Sequence, residues 1–246
     1  MTRNHTIHPA RWLLALAWLL LASAAAAQTV QTVQTKGPAE WLPAMDAFAR
    51  QDQAQPPPQR AVLFIGSSSI NYWHSLAEDF PGVPVINRGF GGSAIEDSTY
   101  YADRIVTPYH PRLIVMYAGD NDVYEGHSAQ QVADDFKAFV ARVRKDLPAV
   151  PVVYISIKPS VARWSLWPAM SQANGLIRDW AATQRGVRFV DIAPLMLDAQ
   201  GKPRAELFRD DGLHMKPAGY ALWIQALRPV LASYGFKAKP PAANAP

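Results

Sequence analysis

Four stretches of this 246-residue chain carry the residue types that acyl transfer needs. Gly66-Ser67-Ser68-Ser69-Ile70 offers hydroxyls, and Arg88-Gly89-Phe90-Gly91-Gly92 is a glycine-rich turn. Gly119-Asp120-Asn121-Asp122 holds a side-chain amide, and Asp210-Asp211-Gly212-Leu213-His214 holds carboxylates and an imidazole. A serine hydroxyl is a poor nucleophile until a base takes its proton. Histidine suits that task near neutrality, and a carboxylate at its second ring nitrogen fixes the tautomer and stabilises the imidazolium. Backbone N–H groups at a glycine-rich turn and an asparagine amide can hold the oxyanion of a tetrahedral intermediate. Singly, the same residues have plainer uses: serines cap helices, Asn and Asp build turns, and a glycine-rich turn needs no function.

What joins these stretches is the elements that precede them. Ala61-Val62-Leu63-Phe64-Ile65 is a continuous apolar run ended by Gly and Ser, the pattern of a buried strand in a parallel sheet. Residues 83–87, 112–118, 150–156 and 187–191 read as four further strands. Residues 40–51 carry Trp41, Leu42, Met45 and Phe48 at helical spacing. Ser93-Ala94-Ile95-Glu96 fits a capping box opening a helix to about Val106, and Ser128-Ala129-Gln130-Gln131 fits a second one. Residues 170–183 and 217–233 complete the predicted helices. Strands alternating with helices predict an α/β fold, a single three-layer domain whose five-stranded parallel sheet has helices on both faces. In such a sheet the strand ends share one edge, where open α/β folds place ligands. Ser68, the glycine-rich turn and Asn121 lie just beyond strand ends and His214 lies after the last strand, so these residues can converge although far apart in sequence.

The order and spacing of the blocks resemble the SGNH hydrolases, also called the GDSL esterase family, over roughly residues 60–230. The resemblance implies a flavodoxin-like fold and a serine esterase that needs no metal or cofactor. It puts the nucleophile at Ser68, although this chain has Ser67 where the family commonly has Asp. It makes His214 the base and Asp211, at the Asp-x-x-His spacing, its partner in preference to Asp210. The oxyanion donors it implies are the N–H groups of Ser68 and Gly92 and the amide of Asn121. Asp120 and Asp122 are expected to support the turn. The implied substrates are acetylated sugars, lipid or lysophospholipid esters, or thioesters.

A different function is weighed against this one at the glycine turn. Gly89-Phe90-Gly91-Gly92-Ser93-Ala94 satisfies the dinucleotide fingerprint G-x-G-x-x-A, but no acidic residue closes the next strand. Another alternative is an inactive carbohydrate- or lipid-binding module on the same fold, which the complete Ser, Asn, Asp and His set argues against. His74, His110, His127 and His214 show no metal-ligand spacing. With no cysteine there are no disulfides and no thiol nucleophile.

The N-terminus reads as a signal peptide over residues 1–27: Arg3 and Arg11, an apolar run from Trp12 to Ala22, then small residues. The run is shorter than the roughly 20 residues of a membrane span, so an exported protein, periplasmic or secreted, is expected. Residues 28–38 read as a linker, 39–235 as the hydrolase domain, and 236–246 as a tail without order. After cleavage 22 basic residues face 20 acidic ones, too even a balance to indicate nucleic acid. The loop 157–167 carries Lys158, Arg163, Trp164 and Trp167 and follows the fourth strand, so it is expected to overhang the serine. Arg163 and Trp164 are candidate substrate-binding residues there.

Overall fold

A computed structural model describes residues 38–237. The expected signal peptide, most of the expected linker and the tail beyond Lys237 lie outside the described residues.

Five strands form one parallel sheet: β1 (Val62–Gly66), β2 (Val85–Gly89), β3 (Leu113–Tyr117), β4 (Val152–Ile155) and β5 (Val187–Val190). Their order is β2-β1-β3-β4-β5, with β1 paired to β2 on one side and to β3 on the other. The helices are α1 (Leu42–Ala54), α2 (Ser68–Asn71), α3 (Leu76–Asp79), α4 (Ile95–Tyr100), α5 (Ala102–Ile105), α6 (Asp120–Tyr124), α7 (Ala129–Asp146), α8 (Trp167–Thr183) and α9 (Pro217–Ser233).

The apolar strand runs are uninterrupted because the sheet is covered twice. Leu63, Ile65, Ile114, Met116, Val152 and Tyr154 pack with buried residues of α1, α4, α5, α7 and α8. The alternate positions Val62, Phe64, Leu113, Val115, Val153 and Ile155 pack on the other face with Ile70, Trp73, Trp223 and Leu227. Strand alternation thus sends successive side chains into two separate cores. Each large side chain fully buried there contributes about 1.5–3 kcal/mol.

Some local expectations change. The helix expected from Ser93 starts at Ile95, with Ala94 as its cap residue. The Asp97 carboxylate accepts from the Ala94 N–H at 2.8 Å, while the Ser93 hydroxyl donates to the Phe90 carbonyl. The same segment is two helices, interrupted at Tyr101. At Ser128 the expected cap forms, its side chain accepting from the Gln131 N–H. The eighth helix starts three residues before the expected Met170, because Pro168 in its first turn is tolerated where N–H groups have no intrahelical acceptor. Pro38 already belongs to a short 3-10 turn, and its carbonyl accepts from the Tyr101 hydroxyl at 2.5 Å. Phe236 is buried under the Arg112 guanidinium, so order extends past the expected boundary at residue 235. Among the described residues no helix is long and apolar enough to cross a membrane.

With this strand order the chain leaves β1 in one direction and returns to β3 on the other side. A crevice therefore opens beyond the carboxyl ends of β1 and β3. Ser68 follows the first of these strands and Asn121 the second.

Candidate active site

The turn after β1 is held on all sides. Gly66 has φ +136°, and a Cβ there would lie 1.8 Å from the Tyr117 carbonyl oxygen, so the close approach of β3 leaves room for glycine alone. The Ser67 N–H donates to that same carbonyl at 3.1 Å. Ser68 then opens α2, where a helix N–H has no intrahelical acceptor. This short helix is pinned by the buried side chains of Ile70 and Trp73. The Asn87 amide donates to the Ile70 carbonyl at 2.7 Å, and the Tyr220 hydroxyl to the Ser69 carbonyl at 2.9 Å. Gly89 closes β2 so near this helix that a Cβ would sit 2.3 Å from the Asn71 nitrogen. Packing against α2 thus accounts for the first glycine of the dinucleotide-like fingerprint.

Of the three serines, Ser68 is half-buried and its Oγ lies 3.1 Å from His214 Nε2. The hydroxyls of Ser67 and Ser69 are buried without a hydrogen-bond partner. His214 Nδ1 lies 2.7 Å from Asp211 Oδ2. A carboxylate only accepts, so Nδ1 carries the proton and Nε2 turns its lone pair to Ser68. Asp211 Oδ1 accepts from the backbone N–H groups of Leu213 and His214 at 2.8 and 2.9 Å. Its partial burial favours the neutral acid, but the hydrogen bonds from the His214 ring and from these two N–H groups outweigh it and lower the pKa to about 2. The loop that carries His214 is closed by a backbone bond, the Arg209 N–H donating to the His214 carbonyl at 2.7 Å. Tyr72 meets the ring edge-on, with centroids 4.9 Å apart.

The glycine-rich turn borders the same serine: a Cβ on Gly91 would lie 3.7 Å from Ser68 Cβ. Gly92, next in the turn, has φ +87°. Asn121 is buried on α6, and its Nδ2 donates to the Ser93 carbonyl at 2.9 Å, tying the turn after β3 to the turn after β2. Asp122 reinforces that tie, since its Oδ1 accepts from the Ile95 N–H at 2.9 Å. Burial pushes its pKa up to about 7 despite that backbone bond.

Arg163 and Trp164 part ways. Arg163 Nη1 donates to Asn121 Oδ1 at 2.9 Å, and its guanidinium lies 4.4 Å over the Tyr124 ring. The Trp164 ring instead stacks on Trp167, with Lys202 on it as well. The loop carrying both does meet the histidine loop, because the Ala162 N–H donates to the Gly212 carbonyl at 3.0 Å.

One group of residues escaped sequence reasoning in its connections. Lys158 and Asp120 are almost fully buried and paired at 2.9 Å, and both also bond the Tyr117 hydroxyl. The signal that could have found it is a lysine in the loop after the apolar fourth strand, together with an acid in the turn after the third. Burial would raise the Asp120 pKa, but the Lys158 and Arg163 cations hold it below the ordinary carboxylate range.

The profile of the GDSL-like lipase/acylhydrolase family matches residues 65–222. The platelet-activating factor acetylhydrolase IB subunit alpha1 of Homo sapiens is 26% identical over 208 residues, covering 82% of this chain and 86% of that protein. Its Bos taurus counterpart matches to the same extent. Among solved structures, a GDSL-like lipase from Bacteroides thetaiotaomicron superposes with a TM-score of 0.65 at 19% identity, over 77% of this chain and 97% of that one. A mutant of an acetyl-xylooligosaccharide esterase from Geobacillus gives 0.59 at 15% identity, over 74% and 96%. These two likenesses concern the fold.

Proposed function

The chain belongs to the GDSL-like lipase/acylhydrolase family, and from that premise we propose that it is an exported serine esterase working through an acyl-enzyme. The single observation that carries the mechanism is the hydrogen-bond chain from Ser68 through His214 to Asp211, at 3.1 and 2.7 Å. Ser68 Oγ bonds to the ester carbonyl carbon as His214 Nε2 takes its proton. Asp211 holds the imidazolium that forms and stays ionised, consistent with its lowered pKa. The carbonyl oxygen becomes an oxyanion, which the N–H groups of Ser68 and Gly92 and the amide of Asn121 receive. On collapse the ester C–O bond breaks, and the departing alcohol takes the proton from His214. Water then attacks the acyl-Ser68 ester with His214 again as base, which releases the acid and restores the hydroxyl.

Export rests on residues 1–27, read as a signal peptide. The substrate class is a small-molecule ester, with acylated sugars, lipids and thioesters within range. Acetyl esters are the first to test, because one relative is by name an acetylhydrolase and one structural neighbour an acetyl-xylooligosaccharide esterase.

The nucleophile is tested by covalent capture. A fluorophosphonate probe should label the protein once, and peptide mass spectrometry should find the phosphonyl group on Ser68 with fluoride displaced. Labelling on Ser67 or Ser69 in place of Ser68, or ester hydrolysis that survives complete labelling of Ser68, would overturn the assignment. A series of p-nitrophenyl esters of increasing acyl length should then show turnover highest for acetate, falling as the chain grows.

A further inference from the structure

We infer that Arg163 is a positioning residue of the oxyanion hole, acting through Asn121, and not a substrate-binding residue. The inference rests on the reading of Asn121 as an oxyanion donor.

An asparagine amide can turn over about its last torsion and exchange oxygen for nitrogen. Only one orientation offers an N–H to an oxyanion. In this protein Nδ2 spends one hydrogen on the Ser93 carbonyl, which leaves its second hydrogen for substrate. The opposite end of the amide decides which orientation persists. Arg163 Nη1 donates to Oδ1 at 2.9 Å, and a guanidinium has no acceptor, so it tolerates the oxygen there and repels the nitrogen. The charge also draws electron density from the amide carbonyl, which makes the free N–H a stronger donor. Both effects bear on the transition state, where charge appears on the carbonyl oxygen.

The guanidinium is itself fixed by the element it orients. Asp120 Oδ2 lies 3.6 Å from it and the Tyr124 ring 4.4 Å, so three residues of α6 grip one side chain. Arg163 arrives from the loop after β4, far from α6 in sequence. Behind Asp120 stands the buried Lys158 ammonium at 2.9 Å, which holds that carboxylate in place. The oxyanion amide thus has a support running from the fourth strand, through two cations and one carboxylate, to the turn after the third. The guanidinium's short contacts go to protein groups and not to open space.

The test is a double-mutant cycle on a short-chain p-nitrophenyl ester, with kcat and KM determined separately. Asn121→Ala should lower kcat by about 10²–10³. Arg163→Ala should lower kcat by about 10- to 100-fold, with KM within about twofold, as a misplaced donor would. Arg163→Lys, which can still donate one hydrogen bond to Oδ1, should recover part of that loss. In the Asn121→Ala background, Arg163→Ala should cost nothing further, since the group it positions is gone. Losses that multiply in the double variant, or a raised KM at unchanged kcat, would overturn the inference and return Arg163 to the substrate pocket. A wild-type kcat in Asn121→Ala would instead overturn the oxyanion reading beneath it. Should Arg163→Ala fail to fold, the cycle is run with Arg163→Lys, and the same two patterns decide.

Discussion

Ser68→Ala is expected to lower kcat for ester hydrolysis by a factor on the order of 10⁵–10⁶, the scale seen when a triad nucleophile is removed. The substitution deletes one oxygen, whose short polar contact is His214 Nε2 at 3.1 Å. The backbone bonds that hold the turn are untouched, including the Tyr72 N–H to the Ser68 carbonyl at 2.8 Å. Alanine is also a good first residue for α2. Stability should therefore change by no more than about 0.5 kcal/mol, and a matching thermal melt separates lost chemistry from lost fold. Ser67→Ala and Ser69→Ala serve as controls. Their hydroxyls are buried and unpartnered, so activity should stay within a small factor of wild type. Steady-state hydrolysis of an acetyl ester is the measurement. A Ser68→Ala protein that turns over at the wild-type rate would remove the serine mechanism altogether.

Lys158→Met is expected to destabilise the fold by about 3–5 kcal/mol at neutral pH, the usual consequence of removing one partner from a buried ion pair. Methionine matches the lysine stem in length, so the loss is of charge and hydrogen bonds more than of volume. Asp120 would then be left almost fully buried, with Tyr117 and the more distant Arg163 as its remaining partners. The pH dependence gives the sign. In the wild-type protein the Asp120 pKa is lowered, because the attraction of Lys158 and Arg163 outweighs burial. Its contribution to stability is thus present above the ordinary carboxylate range and is lost as pH falls through the lowered folded value. Without Lys158 burial has less opposition, and the Asp120 pKa moves up. The deficit of the variant should then be largest at neutral pH and shrink as acid protonates the stranded carboxyl. Urea denaturation at neutral and mildly acidic pH measures both. The double variant Asp120→Asn/Lys158→Met should recover part of the loss, because it removes the unpaired charge. Equal stability of Lys158→Met and wild type would show that the pair contributes nothing to the fold.

Much of this site is local, and local chemistry is legible in a sequence. The run Ala61-Val62-Leu63-Phe64-Ile65 announces a strand buried on both faces, because no polar residue interrupts it. The glycine after it announces a backbone conformation and a close approach that a side chain would forbid. Asp211 and His214 are three residues apart, and one turn of chain lets the carboxylate take the ring N–H and two backbone N–H groups together. Alternation of strands with helices is enough to put the first three stretches on one edge of a parallel sheet. The fourth follows β5 only after two short 3-10 helices and is held there by contacts such as the Ala162 N–H to the Gly212 carbonyl.

The remaining features of the site depend on strand order. That β1 lies between β2 and β3, with β4 beyond β3, is a matter of long-range packing that local pattern does not encode. This order brings the loop after β4 against the turn after β3. There Lys158 meets Asp120, and Arg163 meets the Asn121 amide across 42 residues of sequence. From sequence Arg163 is a candidate substrate-binding residue, because its loop follows the fourth strand and loops at that edge carry specificity. Burial limits that choice: a nearly enclosed cation must be matched by fixed acceptors, and the acceptors belong to the adjacent strand's turn. Trp164, beside it in sequence, turns to Trp167 instead, since neighbouring side chains in a loop need not share a direction.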